Sequence, residues 1–361
     1  MDRLSVSLNG GHCYDIILND SFDGLLKEAQ ALYDSSRKLC IITDSNVEKL
    51  YAQEVSKELG KGFDTVLTYS FPAGEENKRL STVENVYRFL VENRFNRNDV
   101  IAALGGGVTG DLSGFAAATY MRGIDFIQIP TTLLSMVDSS IGGKTGVDLD
   151  AYKNMVGAFY MPKMVYINTS VLNSLPKEQF SSGMAEVLKA GLIKDGDFYG
   201  WVINNFNEIL DKEPQYLTEM IRKSVDIKRQ VVTADPFERG ERAKLNYGHT
   251  LGHAIEKYSE FRLTHGECVA LGSIAAAFIA YKRELLSTEE YYEIRDMFVP
   301  FGLPISLGDM DIDAVLKLTV SDKKNDSKGL KFILLNGIGR SEICRDVTEE
   351  EMRSALSELV V

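Results

Sequence analysis

The stretch Ala102-Ala-Leu-Gly105-Gly106-Gly107-Val-Thr109-Gly110-Asp111-Leu112, followed directly by Ser113-Gly-Phe-Ala-Ala-Ala118, decides the fold. An apolar run short enough for a strand stops at a cluster of glycines, and a small-residue helical segment begins on the far side. Glycine lets main-chain N–H groups approach an anion, and a helix N-terminus adds unpaired donors and the positive end of its dipole. A pyrophosphate fits such a turn. Gly105, Gly107 and Gly110 match G-x-G-x-x-G, yet the turn lies far from the N-terminus and the next predicted strand ends in Pro130-Thr131-Thr132, not in an acidic residue. Acidic residues suited to a ribose stand instead at Asp44, in Thr43-Asp44-Ser45-Asn46, and at Glu75, in Gly74-Glu75-Glu-Asn-Lys78. Strand-to-helix turns also use glycine for purely steric reasons, so this motif alone does not settle a nucleotide.

Outward from this turn, the first half alternates strands with helices. Strand-like runs fall at Ser5 to Leu8, Tyr14 to Leu18, Lys38 to Thr43, Thr65 to Phe71, Val100 to Leu104, Phe126 to Ile129 and Met164 to Ile167. Helix-length segments such as Val47 to Leu59 and Thr82 to Glu92 separate several of them, which is the pattern of an α/β sheet. From about Pro176 the pattern changes to long amphipathic stretches, Gln179 to Lys194, Tyr216 to Thr233 and Ala270 to Leu285, with little strand signal before Lys331 to Leu335. A chain of 361 residues exceeds one ordinary core. We therefore expect an α/β domain over residues 1–176 with a parallel-rich nucleotide-binding sheet, and a mainly α-helical domain over 177–361. Asp322-Lys-Lys-Asn-Asp-Ser-Lys-Gly329 is the most loop-like run away from the termini.

Hydrophobic content of 44% with 25% charged residues is that of a globular protein, and no segment approaches the apolar length of a membrane span. The N-terminus lacks the features of a signal peptide, so a cytosolic location is expected. A net charge of −12 disfavours nucleic acid and anionic lipid as partners, because both need a positive surface field. Any anionic ligand must then find a local basic pocket. Cys13, Cys40, Cys268 and Cys344 form no C-x-x-C pair and are expected to be buried small hydrophobes.

Three further elements carry chemistry. Asp138-Ser-Ser-Ile-Gly142-Gly143-Lys144-Thr145-Gly146-Val-Asp148, joined by Lys153-Asn154, offers two lysines and an amide on glycine-flexed backbone, suited to a phosphate or carboxylate or simply to a solvated loop. It lacks P-loop spacing. In Ser181-Ser-Gly-Met-Ala-Glu186-Val-Leu-Lys189-Ala-Gly191, Glu186 and Lys189 share a helix face in a small, apolar setting where two charges need partners. Lys228 and Arg242, with Asn246 four residues on, could supply further anion contacts. Finally, three of the four histidines, His249, His253 and His265, cluster in Asn246-Tyr-Gly-His249-Thr-Leu-Gly-His253-Ala-Ile-Glu256 and Thr264-His265-Gly266-Glu267. Concentrated imidazole in a histidine-poor chain suggests a metal, with a carboxylate to complete the set. Spacing does not choose between His249 and His253.

Together, Gly-Gly-Gly-Val-Thr-Gly-Asp, Pro-Thr-Thr-Leu-Leu-Ser-Met-Val-Asp-Ser-Ser-Ile-Gly-Gly-Lys-Thr-Gly-Val-Asp, Gly-Met-Ala-Glu-Val-Leu-Lys, Leu-Asn-Tyr-Gly-His-Thr-Leu-Gly-His-Ala-Ile-Glu and His-Gly-Glu resemble 3-dehydroquinate synthase, within the sugar phosphate cyclase superfamily. The likeness runs from about Asp44 to the Asp-Lys-Lys at 322 to 324. It implies a dehydroquinate synthase-like fold: an N-terminal NAD-binding domain, a helical C-terminal metal domain, an active site in the cleft between them, and a homodimer. It places a divalent metal, typically zinc with cobalt as the other candidate, on Glu186, His249 and His265. NAD contacts are implied at Asp44, Asn46, Glu75, Lys78, Gly106, Gly107, Val108, Asp111, Thr131, Thr132, Asp138, Ser139, Val171, Leu172 and Ser174, with Lys144 and Lys153 shared between NAD and substrate. The substrate phosphate would meet Lys144, Asn154, Asn246 and either Lys324 or its neighbour Lys323, with Arg122 arriving from the other subunit. Its carboxylate would meet Lys228 and Arg242, and Lys189, Glu238 and His253 complete the implied catalytic set. One departure stands out: Asp235 is followed by Pro236-Phe237-Glu238, where the family more often has a second acidic residue.

The implied reaction converts 3-deoxy-D-arabino-heptulosonate 7-phosphate to 3-dehydroquinate and phosphate by transient oxidation, β-elimination, re-reduction and aldol closure. A sister cyclase such as 2-deoxy-scyllo-inosose synthase competes with this reading, but its substrate has no carboxylate for Lys228 and Arg242. A metal- and NAD-dependent polyol dehydrogenase and a catalytically silent NAD-binding module are the more distant alternatives.

Overall fold

In the computed structural model, which describes residues 1–150, 152–260, 262–323 and 330–360, the chain divides into two compact units, Met1–Leu175 and Pro176–Val361. The first holds β1 (Asp2–Leu8), β2 (Gly11–Asn19), β3 (Lys38–Asp44), β4 (Thr65–Phe71), β5 (Val100–Gly105), β6 (Asp125–Pro130), β7 (Lys144–Leu149), β8 (Tyr152–Phe159) and β9 (Met164–Asn168). Seven of them form one sheet in the order β1-β2-β9-β6-β5-β3-β4, parallel throughout except for the β1–β2 pair. Each residue of β5 and β9 is buried, as expected of parallel strands covered on both faces.

This order contains a reversal. From β3 the chain goes to β4 on one side, whereas from β5 it goes to β6 on the other. A crevice opens at such a switch point, outside the carboxyl ends of the strands. Those ends carry Asp44 on β3 and the Gly105-Gly106-Gly107 turn on β5, which leads into the helix Gly107–Thr119.

The second glycine-rich element departs from a loop: β7 and β8 pair antiparallel as a hairpin. Glycine inside a strand normally reads as a break. Here it permits the pairing, because a Cβ on Gly157 would collide with the Thr145 carbonyl oxygen across the ladder. The segment expected as one helix from Val47 to Leu59 is a short α turn at Ser45–Val47, a π-helical turn at Glu48–Ala52 and an α-helix at Gln53–Leu59.

The second unit is built from the helices Lys177–Lys194, Gly196–Asn204, Phe206–Leu210, Pro214–Ala234, His249–Tyr258, His265–Lys282, Thr288–Asp296, Ile312–Lys323 and Glu349–Glu358, with a hairpin of β10 (Phe332–Leu335) and β11 (Ser341–Cys344). Two of the stretches expected to be amphipathic are instead buried all round: Phe180 to Ile193 in the first helix and nearly all of Gly266 to Ala280 in the sixth. Small residues on each face let neighbours close in from all sides, which is how a core helix differs from a surface one. Of the three stretches expected to be amphipathic, only the Pro214–Ala234 helix keeps a one-sided apolar stripe, from Leu217 through Val232.

Asp322 and Lys323 end the Ile312–Lys323 helix instead of starting a loop, and Lys324 lies outside the described residues. The cysteines are free but not uniformly buried: Cys40 and Cys268 are, whereas Cys13 and Cys344 are partly exposed. Among the described residues no helix is long and apolar enough to cross a membrane.

Candidate active site

Glu186 sits in the middle of the buried Lys177–Lys194 helix, with its side chain 2% exposed. Two helix starts converge on it. His249 is the first residue of its helix, after Gly248 in the left-handed region at φ 76°, and His265 is the first residue of the next, after a Thr264–Glu267 capping box. His265 Nε2 lies 3.4 Å and His249 Nε2 3.7 Å from Glu186 Oε1. Of the two histidines left open by spacing, it is His249 that faces Glu186: Glu186, His249 and His265 offer ligand atoms all within 4.8 Å of one another. His253 is exposed and belongs to a second such group, with Glu256 and His265.

The donor chemistry suits a divalent cation. The Nδ1 of His249 lies 3.0 Å from the Tyr247 carbonyl oxygen, which only accepts, so its proton is assigned to Nδ1 and the Nε2 lone pair faces Glu186. A helix N-terminus disfavours positive charge, and both imidazoles occupy one. At His249, burial and the Lys189 ammonium together drive the pKa well below the histidine range. At His265, burial also opposes the charge, but the Glu186 carboxylate prevails and raises the pKa. Burial alone would lift the Glu186 carboxyl, yet the Lys189 ammonium in contact with Oε2, aided by the two imidazoles, holds it well below the usual carboxylate value. Neither Glu186 oxygen accepts a well-formed hydrogen bond from a described residue, although both are buried. A buried carboxylate, its charge held by Lys189, that faces the Nε2 atoms of two imidazoles is a set that a cation would complete.

The spacing of these ligands is set by main chain. A Cβ on Gly272 would land on the Gly248 carbonyl oxygen, so the His249–Tyr258 and His265–Lys282 helices touch backbone to backbone. Gly266 N–H donates to Ser182 Oγ at 3.0 Å, tying the start of the second helix to the one that carries Glu186.

The expected anion contacts of this unit lie on two neighbouring elements. Lys228, on the Pro214–Ala234 helix, is 7% exposed and Arg242, on the turn Glu241–Asn246, only 2%. Asp235 shapes the approach, accepting from the N–H groups of Arg239, Gly240 and Arg242 at 2.9, 2.7 and 3.1 Å, while Arg242 Nη1 donates to the Pro236 carbonyl at 2.5 Å. The departure at Pro236-Phe237-Glu238 is thus part of a loop whose remaining acid, Glu238, accepts from Asn246 Nδ2 at 2.7 Å.

In the first unit, Asp44 caps its own turn, accepting from Asn46 and Val47 N–H, and its other oxygen accepts from Thr109 Oγ1 at 3.2 Å across the switch point. Lys78 is 5% exposed and donates to Asp111 Oδ2 at 2.7 Å and Asn154 Oδ1 at 2.6 Å. Burial works against that ammonium, but Asp111 outweighs it and its pKa rises. Lys153 lies 3.9 Å from Glu75. A network thus joins residues expected to touch NAD with Asn154, expected at the phosphate. Thr132 and Ser139 flank the glycine turn, each 3.1 Å from where a Cβ on Gly106 or Gly107 would stand. Thr131 is buried, Asn46 is exposed, and Lys144 is exposed at the start of β7. Val171 and Leu172 point into the core at 2% and 0% exposure, which leaves only their main chain for a ligand, while Ser174 Oγ bonds Tyr51. Arg122 is exposed, with φ 67°.

Two groups escaped the sequence reading: Thr109, which lies inside the glycine motif, and Glu256, whose i, i+4, i+7 spacing with His249 and His253 was visible in the phrase that contains it.

Residues 68–182 match the family model for the 3-dehydroquinate synthase N-terminal region, and residues 183–325 that for its C-terminal region. The chain belongs to the 3-dehydroquinate synthase family. A 3-dehydroquinate synthase of Ruminiclostridium cellulolyticum is 42% identical over 96% of both chains. Among solved structures, a 2-deoxy-scyllo-inosose synthase in complex with carbaglucose-6-phosphate, NAD+ and Co2+ is similar at TM-score 0.88 and 28% identity, covering 99% of this chain and 100% of that one. A 2-epi-5-epi-valiolone synthase from Streptomyces hygroscopicus subsp. jinggangensis with NAD+ and Zn2+ bound is similar at TM-score 0.90 and 26% identity, covering 99% of each. These likenesses fit the α/β sheet unit and helical unit described above.

Proposed function

We propose that this protein is a 3-dehydroquinate synthase, converting 3-deoxy-D-arabino-heptulosonate 7-phosphate to 3-dehydroquinate and phosphate by transient oxidation, β-elimination, re-reduction and intramolecular aldol closure. The observation that carries this reading is the convergence of Glu186, His249 and His265 in a member of this family. When bound, a divalent ion such as zinc acidifies a coordinated hydroxyl, and NAD takes up a hydride and returns it.

The chain's own residues do the rest. Glu186, His249 and His265 would hold the ion, and the Lys189 ammonium keeps the Glu186 carboxylate ionised for that role. The glycine turn and its helix start would receive the pyrophosphate through main-chain N–H groups, with Asp44 and Glu75 placed for ribose hydroxyls. Lys228 and Arg242 would fix the substrate carboxylate, a planar group that a guanidinium grips with two parallel bonds. Lys144, Asn154, Asn246 and Lys324 would take the phosphate, with Arg122 supplied by a second copy in a homodimer. Glu238 orients the Asn246 amide through their hydrogen bond, and His253 is placed beside the ligand imidazoles to handle a proton. We assign the unit Met1–Leu175 to NAD and the unit Pro176–Val361 to metal and substrate, and place the enzyme in the cytosol.

Two observations favour this substrate over those of the sister cyclases. Identity to a 3-dehydroquinate synthase is 42%, against 28% and 26% to the two related cyclases. Arg242 and Lys228 are also buried, and buried cations suit a ligand that brings a carboxylate.

The test is a product assay. Phosphate release from the heptulosonate phosphate is expected with catalytic NAD and no net NADH, and it is abolished by a chelator and by His265→Ala. Stoichiometric NADH without phosphate would identify a polyol dehydrogenase. Turnover of a carboxylate-free sugar phosphate alone would identify a sister cyclase.

A further inference from the structure

We infer that Glu256 is a positioning residue that holds the His265 ring in its metal-binding orientation. This rests on the metal reading above. Glu256 stands two turns after His249 on the same helix, on the same side, and is 4% exposed. Its Oε1 lies 3.9 Å from Nδ1 of His265, while Nε2 of that ring lies 3.4 Å from Glu186 Oε1. The imidazole therefore stands between two carboxylates, one at each nitrogen. A neutral imidazole that presents Nε2 to a cation carries its proton on Nδ1, and that proton faces Glu256.

The arrangement parallels the one at His249, whose Nδ1 faces the Tyr247 carbonyl. Each ligand ring thus has an oxygen behind it, the device that fixes tautomer and orientation at metal centres. His265 needs it more. Its side chain is 31% exposed against 14% for His249, so packing restrains it less. Glu256 also forms, with His253 and His265, a second group of candidate ligands. One neutral imidazole cannot serve both groups, since its single lone pair faces one side. With Nε2 directed at Glu186, Glu256 is left to receive the Nδ1 proton.

The experiment titrates chelator-stripped full-length protein with Zn2+ in competition with a chromophoric chelator, and with Co2+ followed by its visible spectrum. Wild type, Glu256→Gln and Glu256→Ala are compared, with thermal melting of each metal-free form as the folding control. Wild type is expected to bind one ion. E256A is expected to bind it roughly 10- to 100-fold more weakly with an altered Co2+ spectrum. E256Q keeps an oxygen that accepts from Nδ1–H but loses the charge, so its loss is severalfold. Equal affinity and spectrum in wild type and both variants overturn the inference and leave the metal reading standing. A fall from two bound ions to one in E256A also overturns it, because Glu256 would then be a ligand. A wild type that binds no ion overturns both. Where E256A does not fold, E256Q decides alone, and unchanged affinity there overturns the inference.

Discussion

Arg242 is a guanidinium held at 2% exposure, a position that costs several kcal/mol of hydration unless its donors are used. One goes to the Pro236 carbonyl. If its guanidinium grips the substrate carboxylate, Arg242→Lys keeps the charge but loses the paired bonds, and KM for the heptulosonate phosphate should rise roughly 10- to 100-fold. A lysine variant with unchanged KM would remove the argument against carboxylate-free substrates. At this scale the sequence was legible where residue type and chemistry coincide. Histidines in a histidine-poor chain and an acid among small apolar residues pointed to a metal before any fold was known. It was less legible where one side chain does two jobs: Asp44, read as a ribose acid, is also the cap of its own turn and the acceptor of the Thr109 hydroxyl. Val171 and Leu172, expected at NAD, are buried and carry no polar group, so no side-chain pattern of their own marks a site.

The helices that carry His249 and His265 meet at Gly248 and Gly272. Gly272→Ala inserts a methyl where a carbonyl oxygen already sits, and should destabilise the fold by about 1–3 kcal/mol or more while weakening metal binding. Chemical unfolding and metal titration of the same variant check both parts, and an unaffected affinity would mean that the ligands are placed by side chains alone. A second element-level prediction concerns the C-terminal helix Glu349–Glu358. Arg283, just past the His265–Lys282 helix, bonds Glu351 at 2.6 and 2.9 Å, and holds its carboxyl at about 2 instead of 4.5. A depressed folded pKa means stabilisation that is complete above about 4.5 and lost as the pH falls toward about 2. Urea midpoints of wild type and Glu351→Gln should therefore differ at neutral pH and converge in that acid window. Elements with one strong periodicity, the strands of the parallel sheet above all, were readable to within a few residues. The β7–β8 hairpin was not, because its glycines permit close strand contact and look like breaks. Nor were the Lys177–Lys194 and His265–Lys282 helices recognisable as core elements, since charged ends, and in the second a histidine at its start, suggest a solvent face that the folded unit does not leave.

For the molecule as a whole, a cation that joins the starts of two helices to the middle of a third is linked to the folding of its unit. Ligand present at about 100 times its Kd adds roughly 2.7 kcal/mol of apparent stability. Chelation should thus lower the melting temperature of the wild type and leave His265→Ala, already metal-free, unmoved; differential scanning fluorimetry with and without chelator checks it. The division of the fold was legible because the two halves differ in hydrophobic period, but the sequence alone did not tell which histidines converge, since that depends on how three helices pack. The contact at Gly248 and Gly272 has a last consequence. Two ligands whose separation is set by touching main chain form a caliper of fixed gauge, so ions compete by radius as well as by affinity. Zinc and cobalt, close in size, should exchange freely there, whereas a larger ion such as cadmium would have to force two helices apart to enter.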